Sequence, residues 1–196
     1  RPHVAQEHLE AVRAHTHAKV LFYGHDLHYA RLLGEYDKTQ DPRLLKQAAE
    51  SRALEESLWA KVVFVYYPST TETATVLELL PQASARTVPL YFFESAEFEA
   101  TQAGRSSTDI LFVAGFGHPP NVDAAKWLVA DIFPRIKMQV PSAKLILAGS
   151  NPTSEVQALA GTAVTVTGYL SDEALDGYYG RVGVAVVPLR FGAGVK

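Results

Sequence analysis

Four short apolar runs between Ile110 and Lys196 constrain the fold of this chain more than any other feature. The runs are ILFVAG, LILAG, VTVTG and VAVVP, and they close on Gly115, Gly149, Gly168 and Pro188. A helix-length stretch separates each run from the next. This alternation is typical of buried parallel strands, which are joined by crossovers of about a dozen residues. It predicts an open parallel sheet, and such sheets bind ligands in a crevice at the carboxyl ends of their strands.

The first half of the chain alternates in the same way. We predict strands at residues 19–24, 62–67 and 88–92, and helices at 4–15, 29–36, 42–60 and from Ser69 onward. The polar segment ESAEFEATQAGRSST, residues 94–108, follows neither period and indicates a linker. The predicted fold class is therefore α/β, with two Rossmann-like halves of parallel sheets that carry helices on both faces. The first domain spans residues 1–93 and the second spans 109–196.

Some helix ends carry recognisable signals. Ser69 with Glu72, and Ser154 with Gln157, match the capping-box pattern at a helix start. Pro134 lies within an apolar stripe of helical period, where it should kink the helix or separate its last turn.

Composition excludes several classes of partner. The chain has 47% hydrophobic and 20% charged residues with a formal charge of -3, so no basic excess is present to hold nucleic acid. It has no cysteine, which removes disulfides and thiolate chemistry. Its apolar runs are shorter than the roughly 20 residues of a membrane span, and no segment resembles a signal peptide. We therefore expect a cytoplasmic location and leave peripheral membrane association open.

Six of the seven histidines fall within the first 28 residues. His15 with His17, or His25 with Asp26 and His28, are candidate metal ligands, although neither set matches a zinc-hydrolase motif. His25 follows a predicted strand, so we expect it at the carboxyl edge of the sheet, facing the crevice between the halves. The alternative is that His25 and Asp26 only turn the chain and cap the next helix.

The end of the chain, PLRFGAGVK, is a second candidate constellation. Arg190 offers a bidentate fork for phosphate, Lys196 a point charge, and Gly192 and Gly194 let a ligand approach the backbone. The alternative is a glycine turn flanked by solvated cations, because the spacing does not complete a Walker loop.

The motifs in order resemble a known family. The second half, with LFVAGFGHPPNVDAAKWLV, IFPRI, PSAKLILAGSNP, VTVTGYLSDEAL and VVPLRFGAGVK, strongly resembles the donor-binding domain of family 4 retaining glycosyltransferases of the GT-B fold. The first half, with RPHVA, KVLFYGHDLHYAR, LW and VYYPSTTE, resembles the later acceptor-side domain of bacterial members that build surface polysaccharide.

The resemblance implies a set of donor-binding residues. Gly115 and Phe116 match the first glycine loop, which in the family lies against the donor phosphates and the bound sugar. Gly168, Tyr169 and Leu170 match the segment whose backbone meets the nucleobase.

It also implies the chemistry. Arg190 and Lys196 match cations near the diphosphate, and His25 matches the acceptor-side histidine near the donor sugar. The expected substrates are a nucleoside diphosphate sugar and a glycan or lipid-linked acceptor, with no metal and no other cofactor. Arg and Lys would then stabilise the charge that grows on the leaving diphosphate, and the anomeric configuration would be retained.

The sequence departs from the family pattern in two places. Many members carry two glutamates spaced E-x7-E after the fourth strand; Ala193 stands at the first position, and the second falls beyond Lys196. The chain also begins inside the acceptor-side domain, so we expect a fragment in which both domains are incomplete. Alone, it should self-associate through exposed sheet edges and lack transferase activity. A GT-B sugar-nucleotide epimerase and a non-catalytic nucleotide-binding or interaction module are the alternative functions.

Overall fold

Two parallel sheets organise the chain, one in each of two units. The computed structural model describes residues 2–91 and 107–193. Of these, residues 2–91 and 191–193 belong to unit 1, and 107–190 belong to unit 2. Most of the predicted linker lies outside the described residues, so the predicted domain boundaries stay a prediction. Residues 191–193, which the sequence pattern places in the second domain, group with unit 1.

Unit 1 is built around a three-stranded sheet with the order β1-β2-β3. Its elements in chain order are α1 (Pro2–His15), β1 (Leu21–Tyr23), α2 (His28–Thr39), α3 (Pro42–Trp59), β2 (Phe64–Tyr67), α4 (Thr70–Leu79) and β3 (Ala85–Thr87). Both strand pairs are parallel, and Val65 of the central strand pairs with Phe22 on one side and Ala85 on the other. Val65 is fully buried because helices cover this strand.

The strand predicted at 88–92 is wrong. The third strand is Ala85–Thr87, which is polar and partly exposed at the edge of the sheet. Val88 contributes one further backbone bond, from its N–H to the carbonyl oxygen of Tyr67 at 2.9 Å. The prediction followed the apolar residues and therefore began three residues too late. An edge strand is fixed by its backbone pairing rather than by its hydrophobicity.

Unit 2 has a four-stranded sheet with the order β6-β5-β4-β7, and all of its pairs are parallel. Its elements are β4 (Ile110–Val113), α5 (Pro119–Trp127), a π-helical turn (Leu128–Ile132), α6 (Phe133–Gln139), β5 (Leu145–Ala148), α7 (Ser154–Gln157), β6 (Val164–Gly168), α8 (Asp172–Arg181) and β7 (Val184–Ala185). The prediction that the four apolar runs are parallel strands of one sheet is confirmed, as is the α/β class with helix-flanked parallel sheets.

The helix after β4 is interrupted as expected. α5 runs into the π-helical turn, and α6 begins at Phe133 with Pro134 in its first turn. Proline has no N–H to continue the α-helical ladder, so the regular bonding is broken ahead of it. The apolar stripe still faces the core, because Leu128 and Phe133 on either side of the break are both buried.

The two predicted capping boxes have different outcomes. At α4 the Ser69 hydroxyl accepts from the Glu72 N–H at 3.3 Å and donates to Glu72 Oε2 at 3.0 Å, so Ser69 is confirmed as the cap and Glu72 as its side-chain partner. At α7 the cap is Thr153, whose Oγ1 accepts from the Val156 N–H at 3.3 Å, and the box predicted from Ser154 is wrong. Adjacent Thr and Ser both suit a cap, and sequence alone did not choose between them.

None of the helices within the described residues combines the length and the apolar character needed to cross a bilayer.

Candidate functional site

The strand order of unit 2 reverses between β4 and β7. The chain passes from β4 to β5 and β6 on one side, then returns to place β7 on the other side of β4. The loops that leave the carboxyl ends of β4 and β7 therefore follow neighbouring strands at the point of reversal. Open α/β sheets bind their ligands at such a switch point.

A cleft of about 300 Å³ lies at this carboxyl edge, and we call it the strand-end cleft. Its lining includes Gly115 after β4, Gly149 and Ser150 after β5, and Tyr169 and Leu170 after β6. Three of the predicted donor-binding residues are thus brought together within unit 2. The volume is at the lower end of the range for small-molecule sites.

Gly149 allows two strand ends to approach each other closely. Its φ of +147° is rarely adopted by residues with a side chain, and a Cβ atom there would overlap the carbonyl oxygen of Ala114. Its N–H donates to the carbonyl oxygen of Gly168 at 3.0 Å, which ties the β5 loop to the end of β6. The shape of the strand-end cleft therefore depends on a residue without a side chain at this position.

The loop after β4 is fixed by several bonds. Asn121 Nδ2 donates to the carbonyl oxygen of Gly115 at 2.9 Å, and the Phe116 N–H donates to the carbonyl oxygen of Ser150 at 2.8 Å. The Phe116 ring is fully buried and packs edge-on against Phe112, with ring centroids 5.7 Å apart. Phe116 thus supports the loop through its side chain and N–H, while Gly115 lines the cleft.

Arg190, after β7, is held by an acidic partner. Its Nε donates to Asp123 Oδ2 at 2.9 Å and its Nη2 donates to Asp123 Oδ1. The guanidinium carbon lies 5.5 Å from the centre of the Trp127 ring. Hydrogen bonding to Asp123 raises the pKa of Arg190. Arg190 is therefore an exposed cation with an acidic partner, and its role beside a diphosphate stays a prediction.

In unit 1, His25 follows β1 and is exposed. Its ring meets the Tyr23 ring edge-on, with centroids 5.7 Å apart. The preceding Gly24 cannot be replaced without a clash, because a Cβ atom there would overlap the buried Tyr67 ring. His25 thus stands at the carboxyl edge of its sheet as expected, and its orientation toward the crevice stays a prediction.

A buried carboxylate anchors the loop that carries His25. Glu55 of α3 is fully buried, and it accepts from the backbone N–H groups of His28 at 3.0 Å and Tyr29 at 3.2 Å. These are first-turn donors of α2, so Glu55 acts as its cap and meets the positive end of the helix dipole. Asp26 instead accepts from Arg31 at 3.3 Å. The helix is therefore capped from α3, and not by His25 or Asp26.

His28 lies between these carboxylates. Its Nδ1 is 3.6 Å from Glu55 Oε1 and 3.2 Å from Asp26 Oδ1. The interaction with Glu55, followed by the charge of Asp26, raises the pKa of His28 against the opposing effects of burial and Arg31. Protonated His28 is thus favoured in the folded state.

The raised pKa of His28 predicts a pH-dependent stability. Between the unfolded pKa of about 6.5 and the higher folded pKa, the folded state binds more protons, so the free energy of unfolding should fall as pH rises. His28→Gln should remove this part of the slope. Urea unfolding of both proteins from pH 5.5 to 8.5 measures the difference, and a difference that grows with pH would contradict the assignment.

No group of three or more histidine or acidic side chains within residues 2–91 and 107–193 is arranged to hold a metal ion. Lys196 and Gly194 lie outside the described residues.

Sequence reasoning missed several residues of this site. The sequence predicted Gly149 only as the end of a strand, although a glycine at that place is itself a signal for close backbone approach. Ser150 and Asp172 also line the strand-end cleft, and the sequence did not indicate them. Asn121 and Asp123 lie in the motif PPNVDAAKW, and nothing in their spacing reveals that one reaches Gly115 and the other Arg190.

Comparison by sequence identifies one family. The model of the family described as "Glycosyl transferases group 1" matches residues 107–196, just under half of the chain. A search of curated proteins found no match.

Comparison by structure finds similar folds in solved glycosyltransferases. Sucrose-phosphate synthase from Thermosynechococcus elongatus has a TM-score of 0.62 and 22% identity, over 93% of this chain and 48% of that one. A UDP-forming α,α-trehalose-phosphate synthase from Burkholderia xenovorans has a TM-score of 0.58 and 9% identity, over 90% and 49%. A trehalose-6-phosphate synthase, from work on enzymatic glycosyl transfer with retention, has a TM-score of 0.58 and 10% identity. The match covers 99% of this chain and 57% of that one.

This chain therefore spans about half the length of the solved structures that it matches. At these identities the likeness establishes the fold alone. The chain has the helix-flanked parallel sheets of GT-B glycosyltransferases, and residues 107–196 are similar in sequence to group 1 glycosyl transferases.

Proposed function

We propose that the intact protein is a retaining, metal-independent glycosyltransferase that moves a sugar from a nucleoside diphosphate sugar to a glycan or lipid-linked acceptor. The observation that carries the proposal is the strand-end cleft, which collects Gly115 at the carboxyl end of β4 and Tyr169 and Leu170 at the carboxyl end of β6. The family match over residues 107–196 includes all three of these residues. The similar solved structures include enzymes whose names describe sugar phosphate synthesis.

The chemistry of the donor follows from the types of residue present. A nucleobase has flat apolar faces and suits the half of the cleft that carries Tyr169 and Leu170. A diphosphate needs backbone approach at a glycine loop and a cation, which Gly115 and Arg190 provide. Lys196 is proposed as a second cation beside the diphosphate. These cations stabilise the leaving group as its negative charge grows, and His25 is proposed to contact the donor sugar from unit 1.

Tyr169 offers the sharpest test of donor binding. Its side chain is 78% exposed and lines the strand-end cleft, so its removal should barely affect folding. If the ring stacks on a nucleobase, Tyr169→Ala should weaken the binding of a nucleoside diphosphate about tenfold, in line with about 1 to 3 kcal/mol for a base on an aromatic ring. Calorimetric titration of the intact protein with UDP, GDP and ADP measures this effect and identifies the base.

Tyr179 is a matched control, because it is an exposed tyrosine of the same unit and does not line the cleft. Tyr179→Ala should bind as the wild-type protein does. Equal losses in both variants would contradict a nucleobase site at Tyr169. If none of the three nucleotides binds to the wild-type protein, the proposed donor is wrong.

A further inference from the structure

The first turns of α5 contact the two loops that follow β4 and β7. Asn121 donates through Nδ2 to the carbonyl oxygen of Gly115, 2.9 Å away, on the β4 side. Asp123, two residues later, binds Arg190 on the β7 side through a two-bond fork. Gly115 and Arg190 follow neighbouring strands, β4 and β7, and one short helical segment contacts both.

The start of α5 is itself a poor anion site. Its first two residues are Pro119 and Pro120, so two of the backbone N–H groups that a helix start normally offers are missing. The Asn121 N–H is bonded to the carbonyl oxygen of His118 at 3.0 Å. A phosphate held at this loop therefore requires a cationic side chain rather than a helix end.

The geometry of the guanidinium group allows Arg190 to bind two anions. It carries five N–H donors, and Asp123 uses the edge formed by Nε and Nη2. The adjacent edge, formed by Nη1 and the second hydrogen of Nη2, is directed away from Asp123. Arg190 can thus bind one carboxylate and one phosphate bidentately at the same time.

We infer that Asp123 is a positioning residue for the donor diphosphate. It holds the Arg190 guanidinium over Trp127 so that the second edge meets the phosphates, while Asn121 keeps the glycine loop at Gly115 in a matching place. This inference rests on the proposed function. Asp123 and Arg190 have side chains that are 21% and 35% exposed, so the pair is ordered by its partners and still open to a ligand.

A competing role for Asp123 would change nucleotide affinity in the opposite direction. If Asp123 competed with phosphate for Arg190, its removal would release the cation and tighten nucleotide binding. If Asp123 positions Arg190, removal of Asp123 leaves the long Arg190 side chain without its partner. Each binding event must then order this side chain, so the affinity for the nucleotide falls.

The test is titration of the intact protein with the nucleoside diphosphate that binds to the wild type. Asp123→Ala should weaken binding about tenfold, as expected for a lost hydrogen bond to a charged group. Asp123→Asn keeps one acceptor oxygen and should recover part of the loss. In an Arg190→Ala background, Asp123→Ala should have no further effect, since it acts through Arg190.

Asp131 is a matched control for charge. It lies in the π-helical turn that follows α5, and its charge raises the pKa of Arg190. Asp131→Asn removes the same charge as Asp123→Asn and should change affinity less than twofold.

Three results overturn the inference while leaving the proposed function in place: unchanged affinity in Asp123→Ala, tighter binding, or an equal loss in the Arg190→Ala background. A wild-type protein that binds no nucleoside diphosphate overturns both. Thermal unfolding of each variant separates these results from loss of the fold.

Discussion

Gly149→Ala should destabilise unit 2 by on the order of 4 kcal/mol, from a strained backbone together with overpacking. A Cβ atom at this position overlaps the carbonyl oxygen of Ala114, and a φ of +147° is unfavourable for alanine. Neither problem can be relieved by turning a side chain, because the obstacle is the backbone beside β4. The loss is a large part of the roughly 5 to 15 kcal/mol by which a typical domain is stable.

Gly177→Ala is the matched control for this prediction. Gly177 lies within α8, and a Cβ atom there has nothing within 4 Å. Alanine suits a helix interior better than glycine, so this variant should gain about 0.5 to 1 kcal/mol. Urea unfolding of the two variants measures both free energies. A Gly149→Ala protein as stable as the wild type would mean that the two strand ends are further apart than described.

Arg190→Ala should lower kcat/KM of the intact enzyme by about 2 to 4 kcal/mol in transition-state terms, which is roughly 30- to 1,000-fold. In the proposed reaction Arg190 contacts the leaving diphosphate, and that contact would strengthen as negative charge develops, so kcat should fall together with kcat/KM. A residue that contributed only ground-state binding would instead raise KM and leave kcat unchanged. Steady-state kinetics with a saturating acceptor distinguish the two.

Arg181→Ala is the matched arginine control. Arg181 is an exposed residue of α8 whose guanidinium carbon lies 3.8 Å from the centre of the Tyr178 ring. Its removal deletes the same charge from the same unit and should leave turnover near the wild-type value. Kinetics of Arg190→Ala within twofold of wild type would show that the Asp123–Arg190 pair is structural.

Sequence patterns predicted the parts of the fold that depend on buried, repeated structure. The four apolar runs of unit 2 form parallel strands of one sheet, and the central strands β4 and β5 are buried between the sheet's neighbours and its helices. In β7, at one edge of the sheet, Val184 and Ala185 are exposed. The edge strand Ala85–Thr87 escaped prediction because its backbone pairs with β2 while its side chains are only partly covered. The sequence did not distinguish Thr153 from Ser154 as the cap of α7, because both residue types suit that position.

The candidate site was predicted less completely, for a related reason. Gly115, Tyr169 and Leu170 each follow a strand, so topology alone brings them to one edge. Phe116 lies in the same loop, yet its ring turns into the core. The partner of Arg190 is 67 residues away along the chain, and no local pattern contains that information.

The proposed reaction of the intact protein is transfer of a sugar from a nucleoside diphosphate sugar with retention. The most direct measurement is NMR observation of the protein with its tightest-binding nucleoside diphosphate sugar and a panel of glycan and lipid-linked acceptors. We predict release of nucleoside diphosphate in step with formation of a glycoside whose anomeric configuration matches that of the donor. Conversion of the sugar nucleotide to its epimer without release of the diphosphate, or binding with no turnover for any acceptor, would contradict it.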